Sequence, residues 1–414
     1  MDRWTRRAAL GMGAVALSAL LVAPTSLAAQ QVELPEPTGE HEIGTTALHL
    51  VDHARQDPWH PDRKRELMVT VTYPARETAN PRADWIPDGL AAPLDEAMSE
   101  ALDVPRNSVS WQQTQRHART AAPVDRRGGD RPVVLFSPGF GVPRELNAVL
   151  ADDLASRGHV VVSLAHTHES LVEFPGGRVE PPVAQVGVPE HMRTAIDARV
   201  ADTRFVLDQL GLLDLGTNPD ADGAPLPPGL RGALDLDHVG MFGHSYGGFT
   251  AGETMVHDRR IDAGADLDGM LATSTDSPYS PGEVVRGLDR PFLLMGGAFP
   301  DPQTGQSRPH DHLPGNADRS WVDFWPNQRG WKRDLNLGGG AHHSFTDLQA
   351  LVPQLGTLVR PDLRESLIGR VDPQRSLAAQ HAYLGSFFDL HLRNEDDHLL
   401  DGPSPQHPEI AFVQ

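Results

Sequence analysis

A serine lies among glycines in the segment Gly243-His244-Ser245-Tyr246-Gly247-Gly248. The apolar residues 238–242 before it predict a buried strand, and residues 249–256 after it predict a helix. A serine on a tight strand–turn–helix element is held clear of the sheet with its hydroxyl exposed, and only small residues fit around it. The pattern therefore predicts a nucleophile at Ser245 that attacks an acyl group.

A serine hydroxyl is a weak nucleophile unless a nearby base takes its proton. Two adjacent histidines, His342 and His343, lie on a glycine-rich segment that begins at Gly338. This segment follows the last predicted strand, near residues 335–337. Enzymes that carry their nucleophilic serine on a strand–turn–helix element place the general base at this late point in the chain. The residues alone leave both histidines open for that role.

Two aspartates are candidates for the acid that orients the base. Asp268 ends the strand predicted over residues 263–267, and Asp301 follows the next strand, predicted over residues 291–296. Because parallel strands end at a common edge of a sheet, either carboxylate can lie near the base. Their spacing from the serine does not choose between them.

A fourth element is the loop Ser137-Pro138-Gly139-Phe140-Gly141, which follows the apolar run 132–137. Such a loop can direct a backbone N–H at the oxygen that becomes negative during acyl transfer, together with the backbone N–H of Tyr246.

The elements that position these groups alternate along the chain. Strands are predicted over residues 68–73, 132–137, 160–164, 238–242, 263–267, 291–296 and 335–337, and helices over residues 146–156, 189–213, 249–256 and 373–392. Alternation of this kind predicts an α/β fold with a mainly parallel central sheet and helices on both faces. Two stretches, residues 80–125 and 298–330, are predicted as helical and loop insertions near the active site.

The chain of 414 residues has no cysteine and a net charge of −20. Without cysteine, disulfides, thiol nucleophiles and cysteine-bound metals are excluded. The acidic balance argues against nucleic acid and anionic membranes as partners. We predict no cofactor and no metal, because His310 and His312 flank Asp311 on a proline-rich stretch expected to be solvated. No obligate protein partner is evident, and a small ester or lipid is the expected ligand.

The N-terminus resembles an export signal. Arg6 and Arg7 precede an apolar run of about 16 residues, short of the about 20 that a membrane span needs, and small residues precede Ala29. We predict a signal peptide over residues 1–28, of the twin-arginine type, and a secreted or cell-envelope protein. A flexible leader over residues 29–47 and a single catalytic domain over residues 48–414 are expected to follow.

Further short motifs lie along the chain: Arg65-Glu66-Leu67-Met68, Tyr73-Pro74, Phe136-Ser137, Leu154-Ala155-Ser156-Arg157-Gly158, Leu267-Asp268, and His342 three residues before Phe345 and five before Asp347. With the serine segment, these motifs resemble the platelet-activating factor acetylhydrolase family of α/β-hydrolases, in its plasma and type II forms and their bacterial secreted relatives. The resemblance begins at about Leu48 and continues to the C-terminus.

The resemblance implies a role for each residue. It places the nucleophile at Ser245, the acid at Asp268 rather than Asp301, and the base at His342. It places the oxyanion donors at the backbones of Phe140 and Tyr246. The family often has histidine in the oxyanion loop where this chain has Pro138, a change that spares the backbone donor but alters the pocket.

The resemblance implies a secreted esterase or lipase that forms an acyl-enzyme, with short-acyl phospholipids as one substrate class. A general short-chain carboxylesterase or polyester hydrolase is the alternative. Acyltransferases share these residues, and the Ser-Tyr-Gly-Gly motif also occurs in peptidases whose propeller domain does not fit before Lys64. A non-catalytic member is expected to lack one of the three side chains, all of which are present. Transient contact with lipid aggregates, if made, would come through four tryptophans, Trp85, Trp111, Trp321 and Trp325, which equally fit a core or lid.

Overall fold

The computed structural model describes residues 29–274, 278–300, 307–316 and 318–414. The strands in chain order are β1 (Ile43–Gln56), β2 (Lys64–Pro74), β3 (Arg82–Asp84), β4 (Gln115–Thr120), β5 (Arg131–Ser137), β6 (Val160–Ala165), β7 (Val172–Phe174), β8 (Arg178–Glu180), β9 (Leu234–His244), β10 (Ala263–Leu267), β11 (Ala272–Ser274), β12 (Ser280–Pro281), β13 (Phe292–Gly296), β14 (Ala298–Pro300), β15 (Ser307–Pro309), β16 (Lys332–Leu337) and β17 (Ile410–Phe412). The helices are α1 (Ala91–Leu102), α2 (Ala148–Ser156), α3 (Pro189–Asp214), α4 (Tyr246–His257), α5 (Arg319–Phe324), α6 (Leu348–Leu351), α7 (Pro361–Ile368) and α8 (Pro373–Phe388).

One large sheet organises the chain, in the strand order β17-β16-β13-β10-β9-β5-β6-β2-β1-β4-β3. The six strands from β16 to β6 in that order are mutually parallel. Strand β2 joins them antiparallel to β6, and β17 closes the other edge antiparallel to β16. The predicted mainly parallel sheet is therefore confirmed.

The two faces of the sheet carry separate cores. Val133 and Leu135 of β5 pack in one core with residues of α3 and α4. Their neighbours Val134 and Phe136 point the other way and pack with residues of α2 and α8. Because successive side chains of a strand point to opposite faces, one continuous apolar strand buries both of its faces only where helices cover the sheet on each side.

The predicted strands and long helices all have counterparts, with α8 ending at Phe388 and a π-helical turn following it over Asp389–Arg393. Strand β1, which pairs with β2 from Ile43 to Asp52, was not predicted from the sequence. The stretch 80–125 holds α1 as expected but also β3 and β4, which extend the sheet. Strand β4 does not show the alternation of apolar and polar residues that predicts a strand. One of its buried positions holds Arg116, whose charge is balanced by the buried Asp152.

Residues 29–42 differ from the flexible leader that the sequence suggested. Val32 and Leu34 are buried in a cluster with residues of α1. Thr38 donates its backbone N–H and its hydroxyl to the carboxylate of Asp153 on α2, over 2.7 and 2.8 Å. These contacts were not predicted because a proline-rich segment without apolar periodicity is typical of a loop. The predicted signal peptide, residues 1–28, lies outside the described residues.

In the part of the chain that the structure describes, no helix has the length and apolar character to cross a membrane.

Candidate active site

Ser245 lies at the turn between β9 and α4, with a backbone φ of 56° and ψ of −126°. Its backbone N–H donates to the carbonyl of Leu267, which ties the turn to β10. The turn has no room for side chains: a Cβ on Gly247 would lie 1.8 Å from the carbonyl oxygen of Ser137, and one on Gly243 would lie 2.1 Å from the carbonyl carbon of Gly247. A strained serine backbone of this kind is a mark of a functional position.

Three side chains predicted from the sequence come together at this edge of the sheet. The Ser245 hydroxyl lies 3.0 Å from Nε2 of His342. On the other side of the same ring, Nδ1 of His342 donates to Oδ2 of Asp268 over 2.7 Å. Both distances are within hydrogen-bonding range, so the arrangement can pass the serine proton to the imidazole while the carboxylate fixes the ring.

Asp268 directly follows β10 and is fully buried. Its backbone adopts a positive φ of 60°, which turns the chain sharply at the sheet edge. Burial alone would raise the pKa of its carboxyl, but hydrogen bonds from His310 and His342 outweigh burial and hold the pKa well below its usual range. The carboxylate is therefore ionised at neutral pH. Asp301, the competing candidate, lies outside the described residues.

His343 does not share the position of His342. Its ring makes no hydrogen bond with any described residue, and burial together with the charge of His342 lowers its pKa to about 4. His244 supports the loop instead: it is fully buried, and its Nε2 donates to the backbone carbonyl of His342 over 2.9 Å. The sequence motif showed His244 only as a neighbour of the serine.

The loop after β5 lies against the serine turn. A Cβ on Gly139 would lie 3.4 Å from the Cβ of Ser245. The rings of Phe140 and Tyr246 meet edge to face at 5.7 Å. Among the described residues, neither the backbone N–H of Phe140 nor that of Tyr246 has a hydrogen-bond acceptor. Two free N–H donors beside a serine can stabilise the negative oxygen that forms during acyl transfer.

Arg199 holds this loop from behind, a contact that the sequence did not reveal. Its guanidinium donates to the carbonyl oxygens of Pro138, over 2.7 Å, and Gly139, over 3.4 Å. It also pairs with Glu169 over 2.8 Å, and both side chains are buried. Because a carbonyl and the next N–H share a rigid peptide plane, fixing the Gly139 carbonyl fixes the direction of the Phe140 N–H.

The stretch around His310 is not the solvated loop that the sequence suggested. His310 is fully buried against Asp268 and Asp318, and His312 is buried against Asp334. Each ring stacks on a tryptophan, His310 on Trp321 and His312 on Trp325. A carboxylate and an aromatic face together satisfy a buried imidazole, a compensation that linear sequence does not show.

The tryptophans considered for lipid contact are mainly core residues. Trp85, Trp111 and Trp321 are buried, and Trp325 is partly buried behind His312. Trp85 donates to Asp347, which in turn accepts the backbone N–H groups of Ala148 and Val149 at the start of α2. This contact anchors the chain just after the His342 loop. Across the described residues, no group of three or more histidine and acidic side chains has the arrangement of a metal site.

The chain is similar to several known proteins. Residues 26–173 match the family model described as platelet-activating factor acetylhydrolase, isoform II. A probable 1-alkyl-2-acetylglycerophosphocholine esterase of Arthroderma benhamiae is 29% identical, over 92% of this chain and 93% of its own length. The platelet-activating factor acetylhydrolase of Bos taurus is 21% identical, over 90% of this chain and 83% of its own length.

A solved structure adds to these relatives. The ferulic acid esterase from Streptomyces cinnamoneus aligns with a TM-score of 0.73 and 34% identity, over 92% of this chain and 99% of its own. The fold is therefore that of the α/β-hydrolases, and the chain is a carboxylic ester hydrolase.

The contact of Arg199 with the loop can be tested. We expect Arg199→Met to lower kcat for a simple ester by about 100-fold, since a displacement of about 1 Å in a positioned group costs that much. The control is Arg204→Met, on the same helix, because Arg204 is exposed and its one ion pair among the described residues is with Asp258 at 3.5 Å. Equal activity in the two folded variants would contradict a role of Arg199 in holding the loop.

Proposed function

Because this chain belongs to the platelet-activating factor acetylhydrolase family of α/β-hydrolases, we propose that it is a serine esterase that works through Ser245, His342 and Asp268. The observation that carries the proposal is the continuous chain of hydrogen bonds from the Ser245 hydroxyl through both nitrogens of His342 to Asp268. An ionised, buried carboxylate fixes the tautomer of the ring, so that Nε2 is free to accept the serine proton.

The reaction divides into two acyl transfers. Ser245 Oγ attacks the ester carbonyl while His342 Nε2 takes its proton, and the carbonyl oxygen becomes negative between the N–H groups of Phe140 and Tyr246. His342 then returns the proton to the departing alcohol, which leaves an acyl-enzyme on Ser245. Water repeats the sequence: its oxygen attacks the acyl group while His342 takes its proton, and His342 then gives that proton to Ser245 Oγ as the bond to the acyl group breaks and the acid is released.

Two aromatic rings border the reacting groups and suit an ester with an apolar part. Phe299 lies 5.7 Å from the ring of His342, and Phe140 lies against Tyr246. The family match and the two relatives named for hydrolysis of acetyl esters support short-acyl glycerophospholipids as the substrates of this chain. A second candidate class is the aromatic carboxylic esters, which the 34% identity to a ferulic acid esterase favours.

Export is part of the proposal. The paired arginines and the short apolar run before Ala29 support secretion or a cell-envelope location after removal of residues 1–28.

The choice between the two histidines gives a first prediction. His342→Ala should lose on the order of 10³-fold or more in kcat, as triad knockouts do, because Ser245 loses its base. His343→Ala should stay within about tenfold, since His342 and not His343 makes the hydrogen bonds to Ser245 and Asp268. Steady-state hydrolysis of p-nitrophenyl acetate by the folded variants measures both, and the reverse ranking would refute the assignment.

In parallel, an organophosphate should label Ser245, and labelling at another residue would exclude the mechanism.

The substrate class gives a second prediction. We expect the highest kcat/KM for a phospholipid with an acetyl group at its second position, and a decline along a p-nitrophenyl series from acetate to octanoate. Methyl ferulate serves as the competing substrate, with methyl benzoate as its control. A preference for methyl ferulate over all acetyl esters would move the assignment to the aromatic esters.

The processing site gives a third prediction. Mass spectrometry of the exported protein should find a new N-terminus near Ala29, and changing both Arg6 and Arg7 to Lys should block export by the twin-arginine route. Full-length protein retained inside the producing cell would contradict the proposal.

A further inference from the structure

Asp268 contacts a second histidine that the mechanism above does not use. Nδ1 of His310 lies 3.0 Å from Oδ1 of Asp268, the carboxylate oxygen that does not bind His342. The opposite nitrogen, Nε2, lies 2.9 Å from Oδ2 of Asp318. His310 is fully buried and stacks on Trp321 with 3.8 Å between ring centroids. Asp268 is thus held between two imidazoles, and the hydrogen-bonded chain continues past it to a second carboxylate.

The number of N–H donors that these hydrogen bonds need determines the charge of His310. A neutral imidazole has one N–H, yet both nitrogens of His310 face carboxylate oxygens, which only accept when ionised. The two carboxylates also accept other donors: Gly297 N–H donates to Oδ1 of Asp268, His342 to its Oδ2, and Ser320 donates its N–H and its hydroxyl to Oδ1 of Asp318. A doubly protonated His310 satisfies every one of these contacts.

The electrostatics agree with this count. Burial alone would lower the pKa of His310, but Asp268 and Asp318 outweigh it and raise the pKa to about 10. The other titratable groups nearby are His342, beyond Asp268, and Asp266 on β10. Burial raises the pKa of Asp266 well above its usual range, which favours the uncharged form of this carboxyl.

We propose that His310 is a positioning residue of the active site: as an imidazolium anchored by Asp318, it holds Asp268 from the side opposite His342 and balances part of its charge. The inference rests on the proposed roles of Ser245, His342 and Asp268. Its consequence is a moderated carboxylate. With a cation on one oxygen, Asp268 attracts positive charge at its other oxygen less strongly, and the pH dependence of catalysis reports that balance.

The test is the pH dependence of kcat/KM in His310→Gln. Removing the cation leaves the charges of Asp268 and Asp318 unbalanced, so the acidic limb should move to higher pH by about one unit. Looser orientation of Asp268 should also lower kcat by about 10- to 100-fold. A purely structural role would lower activity or stability without moving the limb.

The chain offers a matched control in His312. It lies two residues away, is also buried, stacks on Trp325 at 3.9 Å and pairs with Asp334, but it does not contact Asp268. His312→Gln should therefore leave the acidic limb in place. If His310→Gln does not fold, the double variant His310→Gln and Asp318→Asn removes the unpaired carboxylate as well, and its acidic limb should still move upward, by a smaller amount.

A second measurement reports on His310 without catalysis. In ¹⁵N-histidine-labelled wild-type protein at pH 8, NMR should show one ring with two bound protons that is absent from His310→Gln. A singly protonated His310 would overturn the inference. So would an unmoved acidic limb in His310→Gln while Ser245→Ala is inactive. Failure of the proposed mechanism itself would appear differently, as activity retained in Ser245→Ala.

Discussion

The buried carboxylate of Asp268 is the point on which the candidate site depends. A charge without water around it is stable only if every lone pair meets a donor. Here the donors come from separate parts of the chain: the N–H of Gly297 after β13, His310 after β15 and His342 after β16. Satisfying one carboxylate therefore fixes three loops relative to each other, and one of those loops carries the imidazole that reaches Ser245.

The same rule governs the other side of the site, where Arg199 and Glu169 form a buried pair behind the loop that follows β5. Burying an ion pair stabilises a fold little in net terms, because desolvation offsets attraction. What the pair provides is direction, since a guanidinium has donors in fixed positions and meets the carbonyls of Pro138 and Gly139 in one geometry only.

A second set of the same three residue types shows why geometry alone does not make a catalyst. Ser137 Oγ lies 2.9 Å from Nε2 of His166, whose Nδ1 lies 3.1 Å from Asp202. All three side chains are buried, and Asp202 is also paired with Arg65. Burial lowers the pKa of His166 to about 4, with the charge of Arg199 acting in the same direction. Ser137 is fully buried within β5, whereas Ser245 is partly exposed at the turn after β9.

Much of this protein was determined by local sequence. The glycines around Ser245 are required by contacts of about 2 Å within the turn, and such a requirement is visible as a motif. The apolar runs of β5, β6 and β9 predicted buried parallel strands because helices must cover both of their faces. The resemblance to a family then chose Asp268 and His342 from two pairs of candidates, and the distances between these side chains agree with that choice.

Only the tertiary structure decided the rest. Strand β4 and the buried residues 32 and 34 escaped prediction because their burial depends on partners far along the chain, as Arg116 depends on Asp152. The place of His310 escaped for the same reason. In the sequence, His310 is one of the twenty histidines of the chain, and it lies on a proline-rich stretch. It becomes a charged neighbour of Asp268 only when β10, β15 and α5 meet, because a buried charge is defined by the groups that surround it in space.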